Sequence, residues 1–488
     1  MKNKLARLLF KDPAYRTHWL LLSLLFKGLP FLILLHNKPL NQIPGFLGGS
    51  MGDTPSYLNP IDALLSAGVY TPDFRMPGYG IVYFFFRLFA SKAAACNLVI
   101  VCQFALAALC VYLLALTAIR LFKKRQAFYI CFYLMLVSSY SNFYDGYLLT
   151  ESFCSSALII SVYFFTLWIE SQKTKHLILA GIFLTWVIFL RPVFLPLLPL
   201  FAFFITPLQQ PPLPHWKKAV LLFVIPFILC DGAWITRNYL RHKKFIALTS
   251  SVEYPQLKNS YIIPLTSFVQ AWGGCTGYTD NNSSLGWFGY YIAGTPKPVL
   301  YDSLPGGIYT SAFNKDSLIR IRKLIQTVQN PYTDSLVRES CNSELIYKLI
   351  NYKNSIRREK PFLYYIIRPV RLLGMFLYGK ETRLYMARGQ VFGGIGTAIR
   401  YFYTLYYLLL LVAGIAGMFL MLIKGSGAPR LYLLFAAIPL YTIIIHPLVL
   451  HFGQNRYLMP AWAFLIVCAI CLCLQFIGRG ETVPKNKQ

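Results

Sequence analysis

Long apolar runs broken by short charged punctuation set the rhythm of this chain. The first, residues 19–35, follows a stretch bearing Lys2, Lys4, Arg7, Lys11 and Arg16, and it contains Lys27 and Pro30. No small-residue cleavage site follows it, so it predicts an uncleaved span with a cytoplasmic N-terminus. Residues 93–119 predict a second span ending on Arg120, Lys123, Lys124 and Arg125. A third covers 127–140, and a fourth runs on to 169 and stops before Lys173 and Lys175. The stretch 177–205 is long for one helix and is divided by Arg191-Pro192, Pro196 and Pro199. Two spans meeting outside at Arg191-Pro192 avoid placing a lone guanidinium at mid-membrane. Residues 219–235, 401–423, 431–445 and 457–477 complete about ten spans, with Lys217, Lys218, Lys424 and Arg430 at inner turns.

Between the seventh and eighth spans lies a polar region too long to be a linker. Within it, residues 273–294 are rich in Gly, Asn, Ser and Tyr and read as non-helical, whereas 314–358 read as helix. Residues 360–379 set basic side chains among aromatic ones, the pattern of a helix lying in the membrane interface. The expected fold is therefore an all-α polytopic membrane protein of about ten transmembrane helices, with an extracytoplasmic mixed domain and interfacial helices. Its modules are 1–236, carrying the first outer loop at 37–91, then 237–400 with the interfacial helix near 360–379, then 401–488.

Composition narrows the partners. With 56% hydrophobic and 13% charged residues, the 488-residue chain lies outside the soluble globular range. The formal charge of +29 fits anionic lipid or an anionic substrate, and the multiple spans exclude nucleic acid as a partner. All cysteines but Cys275 and Cys341 fall in apolar segments, where they act as small hydrophobes. Those two pair only if their Cα atoms come within disulfide range outside the membrane.

The polar residues at span ends carry the chemistry. Residues 51–89 place Asp53, a short amphipathic helix and the segment Arg75-Met76-Pro77-Gly78-Tyr79 between two spans. On the topology above, Asp53, Arg75, Asp145, Glu151, Arg191, Arg237, Asn238, His451 and Arg456 all fall on one face. Boundary charges of both signs are functional candidates. Each also has a plainer reading. Asp53 before Thr54-Pro55 suits a helix cap, Glu151 a first-turn acid, and His451 an interfacial anchor. Lys27, Arg75 and Arg191 suit snorkelling side chains.

The order Gly52-Asp53, short helix, Pro77-Gly78-Tyr79-Gly80, aromatic helix resembles the first outer loop of the GT-C membrane glycosyltransferases, among them the protein O-mannosyltransferases and the lipid A aminoarabinose transferases. Leu190-Arg191-Pro192, Trp234-Ile235-Thr236-Arg237-Asn238-Tyr239 and the late His451, Arg456-Tyr457, Pro460 resemble further pieces of that family, in order. Residues 252–365 lie outside the resemblance. It departs at Thr54, where the O-mannosyltransferases carry a second acidic residue, and this weighs against a protein acceptor.

The resemblance implies transfer of a sugar from a polyprenyl-phosphate donor on the extracytoplasmic face of a bacterial inner membrane, to a glycan, lipid or protein acceptor. A phosphate leaving group needs cations to hold it, and one carboxylate is enough to activate the acceptor hydroxyl. Asp53 and Glu151 are then the catalytic carboxylates, with Asp53 the base in an inverting displacement. Asp145, Arg191, Arg237, Asn238, His451, Arg456 and Tyr457 would hold substrate. No cofactor is expected, although Asp53 with Glu151 could hold a divalent cation. The alternative is a lipid-phosphate transporter or flippase using the same charges.

Overall fold

A computed structural model describes residues 10–36, 43–72, 75–206, 215–248, 260–274, 284–289, 306–378, 393–424 and 431–476. Cys275 lies outside these, while Cys341 is a free thiol. The described residues are helical with no strand, and they divide into two compact units.

The first unit takes in residues up to 250, 380–442 and 458–488. Its helices are α1 (Arg16–His36), α2 (Thr54–Ala67), α3 (Gly80–Arg87), α4 (Lys92–Phe122), α5 (Arg125–Val137), α6 (Ser139–Asp145), α7 (Thr150–Ser171), α8 (Thr174–Leu190), α9 (Leu197–Phe203) and α10 (Trp216–His242). Near the end of the chain come α16 (Gly393–Lys424), α17 (Leu431–Ile444) and α18 (Met459–Phe476). Six helical segments are long and apolar enough to cross a membrane: Lys92–Phe122, Thr150–Ser171, Trp216–His242, Gly396–Ile423, Leu431–Val449 and Asn455–Phe476. The chain is thus an integral membrane protein by length and composition of its helices. Three further apolar helices of this unit, Arg125–Val137, Thr174–Leu190 and Pro192–Phe203, are shorter, because Pro192 and the polar joints at Ser138 and Lys173 interrupt the apolar run.

Burial grades these helices from centre to rim. Most side chains of α18 and α7 are buried, and α18 packs on α16, α7 and α5. By contrast α10 buries few residues, so its apolar length faces outward toward lipid.

One expectation is corrected here. Lys27 does not snorkel from α1: its ammonium is buried, 2.8 Å from the Asp145 carboxylate at the end of α6. Asp145 also accepts the Ser152 hydroxyl at 2.6 Å, and the Gln103 amide holds the Asp145 and Tyr147 carbonyls at 2.9 Å each. A buried charge is tolerated when it is paired and its remaining lone pairs are satisfied, and here both conditions hold.

The second unit, residues 251–379 and 443–457, holds α11 (Ile262–Ala271), α12 (Ser284–Trp287), α13 (Lys315–Gln329), α14 (Ser335–Glu359) and α15 (Arg368–Leu377). The region expected to be mixed is helical in its described part, and α12 lies in a stretch expected to be non-helical. The single helix expected over 314–358 is two helices. Asn330-Pro331 stops the first, since the residue before a proline avoids helical backbone. The Asp334 carboxylate caps the second by accepting from the Leu336 and Val337 amides. Phe268, Trp272, Phe313, Ile321, Leu349 and Ile356 form the core between them.

A candidate active site of paired carboxylates and guanidiniums

Backbone pairing brings the loop before α2 against the start of α7. Gly49 bridges Tyr147 in parallel, its N–H donating to Gly146 O at 2.8 Å while Leu148 N–H donates to Gly49 O at 3.0 Å. A Cβ on Gly49 would lie 2.4 Å from the Tyr147 ring, so only glycine allows this approach. Thr54 closes the joint, its hydroxyl accepting from Met51 N–H at 2.9 Å and donating to Leu148 O at 3.0 Å. Thr54, the residue after Asp53, is thereby held on Leu148, two residues before Thr150.

The capping alternative for Asp53 fails on geometry. The residue stands at the N-cap position of α2 but has helical φ −80° and ψ −20°, and its side chain makes no capping bond. A working cap has extended backbone so that its oxygen reaches the N2 or N3 amide. The carboxylate instead meets Arg75 at 3.0 Å. Arg75 is not a snorkelling anchor either. Its Nε donates to Ser56 Oγ at 3.0 Å and its guanidinium lies 4.6 Å from the Tyr57 ring centre. With side chains 31% and 24% exposed, Asp53 and Arg75 can be reached by a ligand.

A second pair lies deeper. Arg191 follows the end of α8 in extended backbone, and Pro192 begins a short 3-10 turn. Its Nη2 is 2.6 Å from Glu151 Oε1, and its Nε donates to Thr150 Oγ1 at 3.0 Å. Both residues are buried. Gly78 sets this end of α8: a Cβ there would come within 2.5 Å of the Phe189 carbonyl, and the Trp186 indole N–H donates to Gly78 O at 3.0 Å. The Pro-Gly-Tyr-Gly segment therefore seats the strut from which Arg191 reaches Glu151.

Tyr57 joins the two pairs. Burial pushes its hydroxyl up and Arg75 pulls it down, while Asp53, Glu151 and Arg191 all act on it as well. Two charges of each sign thus act on one buried ring, which also packs against Tyr79 at 5.1 Å.

Arg237 flanks this group. It donates to Tyr70 O and Asn238 Oδ1, each at 2.7 Å, and stacks over Tyr70 and Trp234. Met76 and Phe189 pack with Trp234 in one apolar cluster, so the α10 turn bearing Arg237 abuts the loop bearing Arg75. Asn238 holds the Ile246 carbonyl at 3.1 Å. Arg241, not singled out in the sequence, also donates to Tyr70 O, at 2.8 Å. Two guanidiniums on successive turns of a helix carried that signal. Asp145, expected to hold substrate, is buried and engaged by Lys27 and Ser152.

His451, Arg456 and Tyr457 belong to the second unit. Arg456 donates to Gln454 Oε1 at 3.0 Å and lies over the Tyr457 ring. Tyr457 stacks on His446, whose other face meets Phe376, a sandwich with no sequence signature. His451 has φ +57°, unusual for a residue with a Cβ, and its carbonyl accepts the Gln270 amide at 2.9 Å. Its Nε2 accepts from Arg368 Nη2 at 3.0 Å, which requires the neutral ring. Burial, then the charges of Arg368 and Lys353, hold its pKa below the usual histidine value. The unfolded chain therefore binds this proton first, so the stability contributed is whole above about pH 6.5 and lost as pH falls through the lowered folded value. The thermal midpoint is expected to drop with pH across that window, and His451→Gln is expected to flatten the drop. An unchanged slope in the variant would assign the dependence elsewhere.

Among the described residues no three His, Cys, Asp or Glu side chains gather as a metal site. A divalent cation held by Asp53 and Glu151 would have to compete with Arg75 and Arg191. No protein-family model matches this chain, and no curated protein matches it.

Proposed function

We propose that this chain is a membrane glycosyltransferase of the GT-C type. It takes a sugar from a polyprenyl-phosphate donor and passes it to an acceptor on the extracytoplasmic face of a bacterial inner membrane, through a bundle of about ten spans. The observation that supports this most is the reachable Asp53–Arg75 pair set over Tyr57, with the buried Glu151–Arg191 pair behind it.

In the proposed step, the acceptor oxygen bonds the anomeric carbon from the face opposite the phosphate, inverting it. The bond from that carbon to the phosphate oxygen breaks and its electron pair leaves with the polyprenyl phosphate. The acceptor proton passes to Asp53. Arg75 has five N–H donors in a planar fork, enough to touch a donor phosphate while keeping Asp53 in place. Arg237 and Arg241 supply further positive charge for the leaving group. Glu151, held by Arg191, fixes the frame and the charge balance behind Asp53, and the glycan, lipid or protein acceptor enters from the open side. No step needs a metal ion.

The test uses purified protein in lipid nanodiscs with polyprenyl-phosphate sugars labelled in the sugar. Cleavage of the donor, with label passed to acceptor or water at inverted configuration, supports the reading. Intact donor moved across a sealed vesicle membrane without cleavage would replace it with the transporter alternative.

A further inference from the structure

The segment joining α14 to α15 inverts the usual sidedness of a surface helix. Pro361 follows α14, a π-helical turn spans Leu363–Ile367, and α15 continues from Arg368. Arg368, Leu372 and Phe376 point into the unit and are buried. Phe362, Tyr365, Ile366 and Val370 are outside, 66%, 50%, 51% and 64% exposed. A helix on a water-facing surface puts its apolar stripe inward, and a contiguous outward one marks a contact with something apolar.

Cations frame this apolar face. Arg357, Arg358, Lys360 and Arg371 border it, and Arg357 donates to the Tyr365 hydroxyl at 2.8 Å. The one carboxylate among them, Glu359, is occupied by Ser311, whose N–H and hydroxyl donate to it at 2.8 and 2.7 Å. Beside the face opens a cavity of about 440 Å³ walled by Ile308, Pro361, Phe362, Leu363 and Ile367 and shared by Glu359, Lys360 and Arg371. Lys360 gives one N–H to Gly307 O at 2.7 Å and Arg371 gives one to Trp272 O at 3.3 Å. Each keeps further donors for an anion.

We propose that residues 359–371 form a docking site for anionic lipid. Phe362, Tyr365, Ile366 and Val370 enter the boundary of the acyl chains, and a phosphodiester headgroup sits between Lys360 and Arg371 at the cavity. Apolar side chains ringed by cations match the interface of an anionic leaflet on both counts. The membrane-crossing helices of the same chain keep this unit tethered to a bilayer, which makes lipid the partner at highest effective concentration. The inference is independent of the transfer reaction and survives its failure.

The test places a photoreactive p-benzoylphenylalanine at Ile366 in the full chain, reconstituted in equimolar phosphatidylcholine and phosphatidylglycerol. Mass spectrometry then reads which lipid is attached after irradiation. Attachment of phosphatidylglycerol at about thirtyfold over phosphatidylcholine is expected, the ratio that about 1 kcal/mol for each of the two cations supports. Lys360→Gln combined with Arg371→Gln is expected to keep lipid attachment and lower the ratio at least about fivefold, toward unity. Absence of lipid at position 366 overturns the docking face. Equal attachment of both lipids in the unaltered site overturns the headgroup site, as does a ratio that the double variant leaves unchanged.

Discussion

Asp53→Asn is expected to lower sugar transfer by about two to four orders of magnitude, the range that removal of a positioned general base produces. Asparagine is nearly isosteric and keeps an oxygen for Arg75, yet it cannot take the acceptor proton. The fold has little to lose, because Asp53 makes no capping bond and its ion pair is partly open to solvent. Such pairs contribute about 1 kcal/mol or less. The loss is therefore expected in kcat, with KM for the donor within a few-fold of wild type, since the proton moves only as the transition state forms. Initial rates over a range of donor concentrations, at matched amounts of folded protein, make the measurement. A variant within tenfold of wild type in kcat would remove Asp53 from the chemistry and leave Glu151 as the carboxylate to examine. A rise in KM alone would make Asp53 a binding residue.

The sequence exposes single charges at the ends of apolar runs, and Asp53, Glu151, Arg191 and Arg237 are visible for that reason. It does not expose their partners. Asp53 with Arg75, and Glu151 with Arg191, are brought together by backbone pairing at Gly49 and close packing at Gly78, neither of which leaves a periodic trace. Arg75 resembles any interfacial arginine until its Ser56 and Tyr57 bed is known. Helix class was legible because apolar length alone carries it, while the break at Asn330-Pro331 was a local signal outweighed by the recurring Leu and Ile on both sides. His446 and Arg368 gain their meaning from neighbours far along the chain.

The Lys27–Asp145 pair is a further case, joining residues 118 apart in sequence within a buried site. Lys27→Met is expected to destabilise the protein by about 3–5 kcal/mol, because it leaves the Asp145 carboxylate buried without its cation. Lys27→Met combined with Asp145→Asn is expected to recover most of that loss. The amide is neutral, and its oxygen can still accept the Ser152 hydroxyl. Unfolding can be followed by a thiol-reactive dye, since Cys110, Cys131, Cys154 and Cys468 are buried in the folded bundle and become reactive when it opens. A single variant as stable as wild type would mean that the ammonium and carboxylate are not paired. Recovery in the double variant bears on the site as well. Asp145 ends α6, and the segment it leads into carries Tyr147 and Leu148, the partners of Gly49 and Thr54. If stability returns but transfer does not, the ion pair also sets the register between that segment and the loop bearing Asp53. If both return, its contribution is confined to holding α1 against the bundle.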